Sequence, residues 1–267
     1  VCQQALTSVL AIGWTFRLAQ RAAVKRWWAL SSIEGKAARF RDEADGNDLL
    51  RPYRNYPNWF KAPGGMKAVQ DSIDDGSGKV SRLRAIRTGL FGGLWQNAKL
   101  GVQGIFNVLA LILLAWLWWV FGWYEGGVNA FIKGYEQFSV GIAISWTGIL
   151  LFLAVMLYLP MAQARQAVTG DWRSFYHFRT VWGLVRRRRV ACLVLAGLYS
   201  LVSLPLVIMR SVIPLAAGNS AAFADLTAVE LLQTANRYFF FVGLVGFVAY
   251  AFLRVFAARI YAGALLE

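Results

Sequence analysis

Histidine and cysteine are almost missing from this chain, and carboxylates are missing from its apolar stretches. One histidine, His177, and two cysteines, Cys2 and Cys192, occur in 267 residues. That excludes a disulfide framework or a cysteine-based metal centre. Cys192 stands in an apolar run and reads as a small buried hydrophobe. A membrane haem usually takes axial ligands such as histidine at membrane depth. None stands in an apolar run here, and Met156 and Met161 read as packing residues. A retinal Schiff base needs a mid-span lysine, whereas Lys99 and Lys133 lie at edges. All 14 carboxylates fall outside the interiors of the apolar runs. Ion-coupled pumps and proton relays typically place Asp, Glu or His in mid-membrane. His177 has no nucleophile motif, metal-ligating pair or phosphate-cradling glycine loop beside it. The chain is therefore expected not to be an enzyme and to hold no catalytic, cofactor or metal site, with bound lipid as its only ligand.

Apolar residues are abundant: 58% of the chain is hydrophobic and 16% charged, with a mean hydropathy of +0.46. Against this stands a net charge of +14, from 28 Lys+Arg and 14 Asp+Glu. A soluble nucleic-acid binder can be that basic but not that apolar, so nucleic acid is excluded as a partner. The composition is that of an integral membrane protein.

Charge-free gaps locate the spans, since about 20 apolar residues cross the hydrocarbon layer. They are Val1–Phe16, read as a transmembrane helix or its C-terminal part, then Leu100–Tyr124, Gln137–Ala164, Val190–Met209 and Tyr238–Leu253. The fold class expected is all-α: a polytopic bundle of about five transmembrane helices with basic cytoplasmic amphipathic helices. Residues 17–99 form a cytoplasmic juxtamembrane region, and residues 100–267 a four-helix domain with a basic cytoplasmic loop at 165–189. Of the 28 basic residues, 25 fall on one side of these spans and Lys133, Arg210 and Arg237 on the other. The basic side is cytoplasmic by the positive-inside rule, which makes the C-terminus cytoplasmic. Arg210 and Arg254 near span ends are expected to snorkel to the headgroups.

Within 17–99, Val80, Leu83, Ile86, Leu90 and Leu94 recur every three or four residues between Lys79, Arg82, Arg84 and Arg87. That pattern predicts an amphipathic basic helix feeding the second span. The stretch Leu49–Phe60 combines Pro52 and Pro57 with Tyr53, Tyr56, Trp59 and Phe60. It is too aromatic for a solvated linker. It is expected to be ordered, docking on a partner subunit, with the bilayer surface as the alternative. Thr227 and Glu230 have capping-box spacing and predict a helix start.

Four positions in a row, Arg186, Arg187, Arg188 and Arg189, abut the fourth span. They read as a topology signal, or more sharply as a site for anionic phospholipids or an acidic partner. Gly89 and Gly93, together with Gly243 and Gly246, have the spacing of close helix packing, and Asn107 that of an interhelical hydrogen bond. Spans two–three and four–five can be read as two repeated hairpins, although positive-inside patterning alone explains the same residues.

The runs Leu159–Arg165, Thr169–Phe175 and Phe178–Arg186 resemble a group of uncharacterised bacterial multi-spanning membrane proteins, over residues 90–267. The resemblance implies a bundle of membrane helices with a basic cytoplasmic loop, in a bacterial inner membrane. The function expected is that of a non-catalytic subunit that scaffolds or anchors a larger complex with other membrane subunits. The alternative is a permease or lipid-handling module, for which Pro205, Asn107, Ser145 and Thr147 speak.

Overall fold

The computed structural model describes residues 2–30, 57–61, 79–129, 136–219 and 227–265. Among them no strand occurs, and nearly all are helical. The helices are α1 (Cys2–Leu30), α2 (Lys79–Trp123), α3 (Glu136–Thr169), α4 (Phe178–Arg187), α5 (Arg189–Asn219) and α6 (Ala228–Leu265). A π-helical turn, Tyr124–Asn129, ends α2, and a 3-10 turn, Trp172–Tyr176, follows α3. The expected aromatic contacts of Tyr53 and Tyr56 lie outside the described residues.

Among the described residues, three helices are long and apolar enough to cross a membrane: Phe91–Gly126, Ser139–Thr169 and Ala228–Leu265. Arg189–Ser203 is a shorter apolar helix. The charge-free gaps predict five spans, so three are shown where five are expected. The first expected span is part of α1, which continues without a break through Arg17, Arg21, Lys25 and Arg26. Those charges dilute its apolar length. The expected basic helix before the second span is continuous with it, because the periodic apolar face runs on through Leu94 into Leu100 without a helix breaker. At about 1.5 Å per residue, α2 is some 65 Å long and extends well past a hydrocarbon layer of roughly 30 Å.

The basic connection at 165–189 is mostly helical. Gly170 takes a left-handed conformation (φ 67°) and its amide caps α3 on the Gln166 carbonyl at 2.9 Å. Glycine suits this C-terminal cap because it has no Cβ to clash. Asp171 then caps the 3-10 turn by accepting from the Arg173 amide at 3.0 Å. The short α4 buries Val181, Leu184 and Val185 and turns its arginines outward. At the start of α6, Thr227 and Glu230 form the reciprocal capping box that their spacing predicts: the Thr227 amide donates to Glu230 Oε2 at 2.9 Å, and the Glu230 amide to Thr227 Oγ1 at 3.4 Å.

The core is gathered at one end. Phe16, Ala19, Ala23 and Trp27 of α1 meet Tyr158–Val168 of α3, Phe175, the inner face of α4, Cys192, and Ala258–Leu265 of α6. Every residue of α3 from Val155 to Val168 except Leu157 is buried, because α1, α2, the 3-10 turn, α4 and α6 surround it. At the other end the apolar side chains face outward, among them Leu114, Trp116, Trp118, Trp119 and Phe121 of α2 and Phe240, Phe241 and Leu244 of α6. Such faces suit a lipid environment, where burial of apolar area no longer drives packing and close van der Waals fit decides which helices meet. The fit is made by glycines. Gly13, Gly101 and Gly104 lie where α1 crosses α2, facing Asn97, Val9 and Phe16 respectively. Gly122 and Gly148 serve the α2–α3 hairpin, against the Ser145 and Trp119 backbones.

Candidate functional site

Two polar clusters hold the basic end together. In the first, Arg17 of α1 is 7% exposed. Its Nη1 donates to the Asn58 carbonyl at 2.8 Å, to Asn97 Oδ1 at 3.1 Å and to the Gly93 carbonyl at 3.4 Å. Asn97 Nδ2 donates in turn to the Trp59 carbonyl at 3.2 Å. The Gly93 amide donates to the Phe60 carbonyl at 2.7 Å. A Cβ on Gly93 would stand 2.5 Å from that carbonyl oxygen, so only glycine admits the 57–61 segment here. Trp14 donates from its indole to the Pro57 carbonyl at 2.9 Å and stacks on Trp59 with centroids 5.1 Å apart. The segment Pro57–Lys61 is thus pinned between α1 and α2 by its own backbone carbonyls.

In the second cluster, Asn107 is fully buried. Its Nδ2 donates to Gln166 Oε1 at 3.1 Å and to the Trp172 carbonyl at 3.2 Å, and its Oδ1 accepts from the Tyr176 hydroxyl at 3.0 Å. One amide therefore joins α2, α3 and the 3-10 turn. Burial pushes the Tyr176 phenol above its ordinary pKa.

The sequence-predicted residues are distributed as follows. Trp59 lies on Trp14 and Phe247, while Phe60 is 59% exposed. Gly89 is buried, and Gly93 receives the 57–61 segment rather than a helix. A Cβ on Gly246 would make ordinary contact with Leu206 at 3.5 Å, and one on Gly243 would meet nothing within 4 Å. His177 is exposed and precedes α4 without a side-chain cap bond.

The four arginines part company, because the α4–α5 elbow falls inside their run, at Arg188 (φ −119°, ψ 46°). Arg187 Nη1 donates to the Ala264 carbonyl of α6 at 3.3 Å. Arg188 lines a groove of about 950 Å³ between α1, α6 and the start of α5. Arg186 and Arg189 line a second groove of about 780 Å³, with Arg179, Trp182 and Leu157.

Arg254 departs from expectation. It does not snorkel: it is 3% exposed, with its guanidinium 3.6 Å from the Phe16 ring centroid and 4.7 Å from that of Tyr250. Its Nη2 also donates to the Tyr250 hydroxyl. The reason is α1, which packs along α6 and covers the position that the charge pattern left open to the headgroups. Arg17, Asn97, Gln166 and the Phe16–Arg254 pair escape a sequence reading because their partners are 38 to 238 residues away. No protein-family model, curated protein or solved structure matches the chain.

Proposed function

We propose that this chain is a non-catalytic integral membrane subunit that anchors or scaffolds a larger membrane assembly. The observation that carries the reading is the contrast between its glycines. Gly13 of α1, Gly101, Gly104 and Gly122 of α2 and Gly148 of α3 face a neighbouring helix so closely that a Cβ would meet it, whereas a Cβ on Gly197 of α5 or Gly243 of α6 would meet nothing within 4 Å among the described residues. Small residues on a membrane helix let another backbone approach closely, so these open positions suit helices from another chain. The buried polar contacts support the same reading, since Asn107 joins Gln166 Oε1 and the Tyr176 hydroxyl across elements and fastens the bundle. The grooves flanked by arginine favour a second reading, a lipid-handling module.

Purification of the full chain in mild detergent, followed by mass spectrometry, tests the assignment. Other membrane chains are expected in fixed ratio. Gly243→Trp should reduce them at least tenfold without changing thermal stability. A wild-type chain that purifies alone overturns the reading.

The arrangement proposed in the membrane is five spans in a bacterial inner membrane, with the basic end and the C-terminus cytoplasmic. Single cysteines replacing Lys133 and Arg187, in a background freed of Cys2 and Cys192, should be labelled from opposite sides by an impermeant thiol reagent. Labelling of both from one side refutes this topology.

A further inference from the structure

The groove between α1, α6 and the start of α5 changes character along its length. On α6 its wall is Val248, Phe252, Val255 and Phe256, followed on the same helical face by Arg259. On α1 it begins at Leu18 and continues through Arg21, Lys25 and Arg26. Residues three, four and seven apart share a face of a helix, so α6 presents its valines and phenylalanines before Arg259, while on α1 the cations alternate with Ala22, Ala29 and Leu30. Both helices run toward the basic end, so the cations of the two helices gather there beyond the apolar wall of α6. Arg188 joins the cations from the α4–α5 elbow: its Nη2 is 3.8 Å from where a Cβ on Gly263 would stand. Among the described residues, five cations line the groove and no carboxylate does.

We propose that this groove is a binding site for an anionic glycerophospholipid. Its phosphodiester headgroup lies among Lys25, Arg26, Arg188 and Arg259, and an acyl chain lies along Phe252 and Phe256. Seven residues separate Phe252 from Arg259, about 10 Å along the helix axis. That spacing leaves room for a glycerol backbone between headgroup and chain. A volume of about 950 Å³ is at the upper end of the range for ligand pockets. A basic rim beside apolar helix faces is what an acidic lipid headgroup recognises. The site goes beyond the Arg186–Arg189 run, of which it takes only Arg188, and it stands under either reading of the function.

The test uses the full chain in detergent and native mass spectrometry, titrated with phosphatidylglycerol and phosphatidylcholine of identical acyl chains. Retention of phosphatidylglycerol is expected to exceed that of phosphatidylcholine about tenfold, since each nearby Lys or Arg contributes a several-fold preference. The variant K25Q/R26Q/R259Q removes three exposed cations and should abolish that preference. Phe252→Asp places a carboxylate in the apolar wall of an exposed position and should also release the lipid. R179Q/R186Q/R189Q, in the second groove, should retain it. Equal retention of the two lipids by the wild-type chain overturns the proposal. So does a triple variant at Lys25, Arg26 and Arg259 that keeps the preference, or one at the second groove that loses it. Displacement of the lipid by inorganic phosphate at matching concentration also overturns it, because a site held by the apolar wall resists a bare anion.

Discussion

Gly13→Val is expected to abolish the folded bundle, while Gly243→Val leaves it intact. A Cβ at Gly13 would fall onto the backbone of Asn97, and neither helix can yield locally because Gly101 and Gly104 make equally close approaches further along the same crossing. Separating the helices would also pull Arg17 away from Asn97. The combined loss exceeds about 4 kcal/mol, a size reached only by severe overpacking or broken buried networks. Gly243 meets nothing within 4 Å, and its substitution should cost less than roughly 0.5 kcal/mol. Fluorescence-detected size exclusion separates the cases: aggregated or absent protein for Gly13→Val, a wild-type profile for Gly243→Val. Matching profiles and melting temperatures would remove the α1–α2 crossing as the organising contact.

Arg17→Met is expected to cost about 3 kcal/mol and lower the melting temperature by roughly 10 °C. Methionine fills much of the arginine's volume but donates no hydrogen bond. The Asn58 carbonyl and Asn97 Oδ1 then lose a charged donor in a poorly solvated place. Arg254→Met gives the opposite sign of test. Arg254 Nε and Nη1 are buried without hydrogen-bond partners among the described residues, and exchanging such a cation for an apolar side chain is commonly neutral or stabilising. Thermal melts of the purified chain followed by tryptophan emission report both. If Arg17→Met melts with the wild type, the carbonyls of the 57–61 segment are solvated and the cluster does not pin it.

The helices were legible from composition because each property is local. Apolar length marks α2, α3 and α6, and Thr227 with Glu230 marks a start three residues apart. Gly170 and Asp171 end α3 and begin the next turn by contacts of two to four residues. What resisted reading depends on which helices touch. Arg254 looks like any interfacial arginine until α1 is laid over it. Asn107 reads as an interhelical hydrogen-bonding residue, but its three partners lie 59, 65 and 69 residues onward. The run Arg186–Arg189 reads as one patch in sequence, yet a helix end at Arg188 points its members into separate surroundings. The glycine spacing at Gly89 and Gly93 signals a close approach but says nothing of what approaches. Here it is the peptide backbone of Phe60 and Lys61.

The packing of α1 against α6 bears on how the protein is made. Phe16, Ala19 and Ala23 emerge from the ribosome more than 230 residues ahead of their companions Ala257, Ala258 and Tyr261. Until then α1 has α2 and α3 for company and an uncovered flank. During translation that flank, with Arg17 and Gln20 beside it, must be shielded by lipid, by the insertion machinery or by a chaperone. A ribosome stalled before α6 would release a chain whose first helix is still looking for its last, an easily recognised mark for membrane proteolysis.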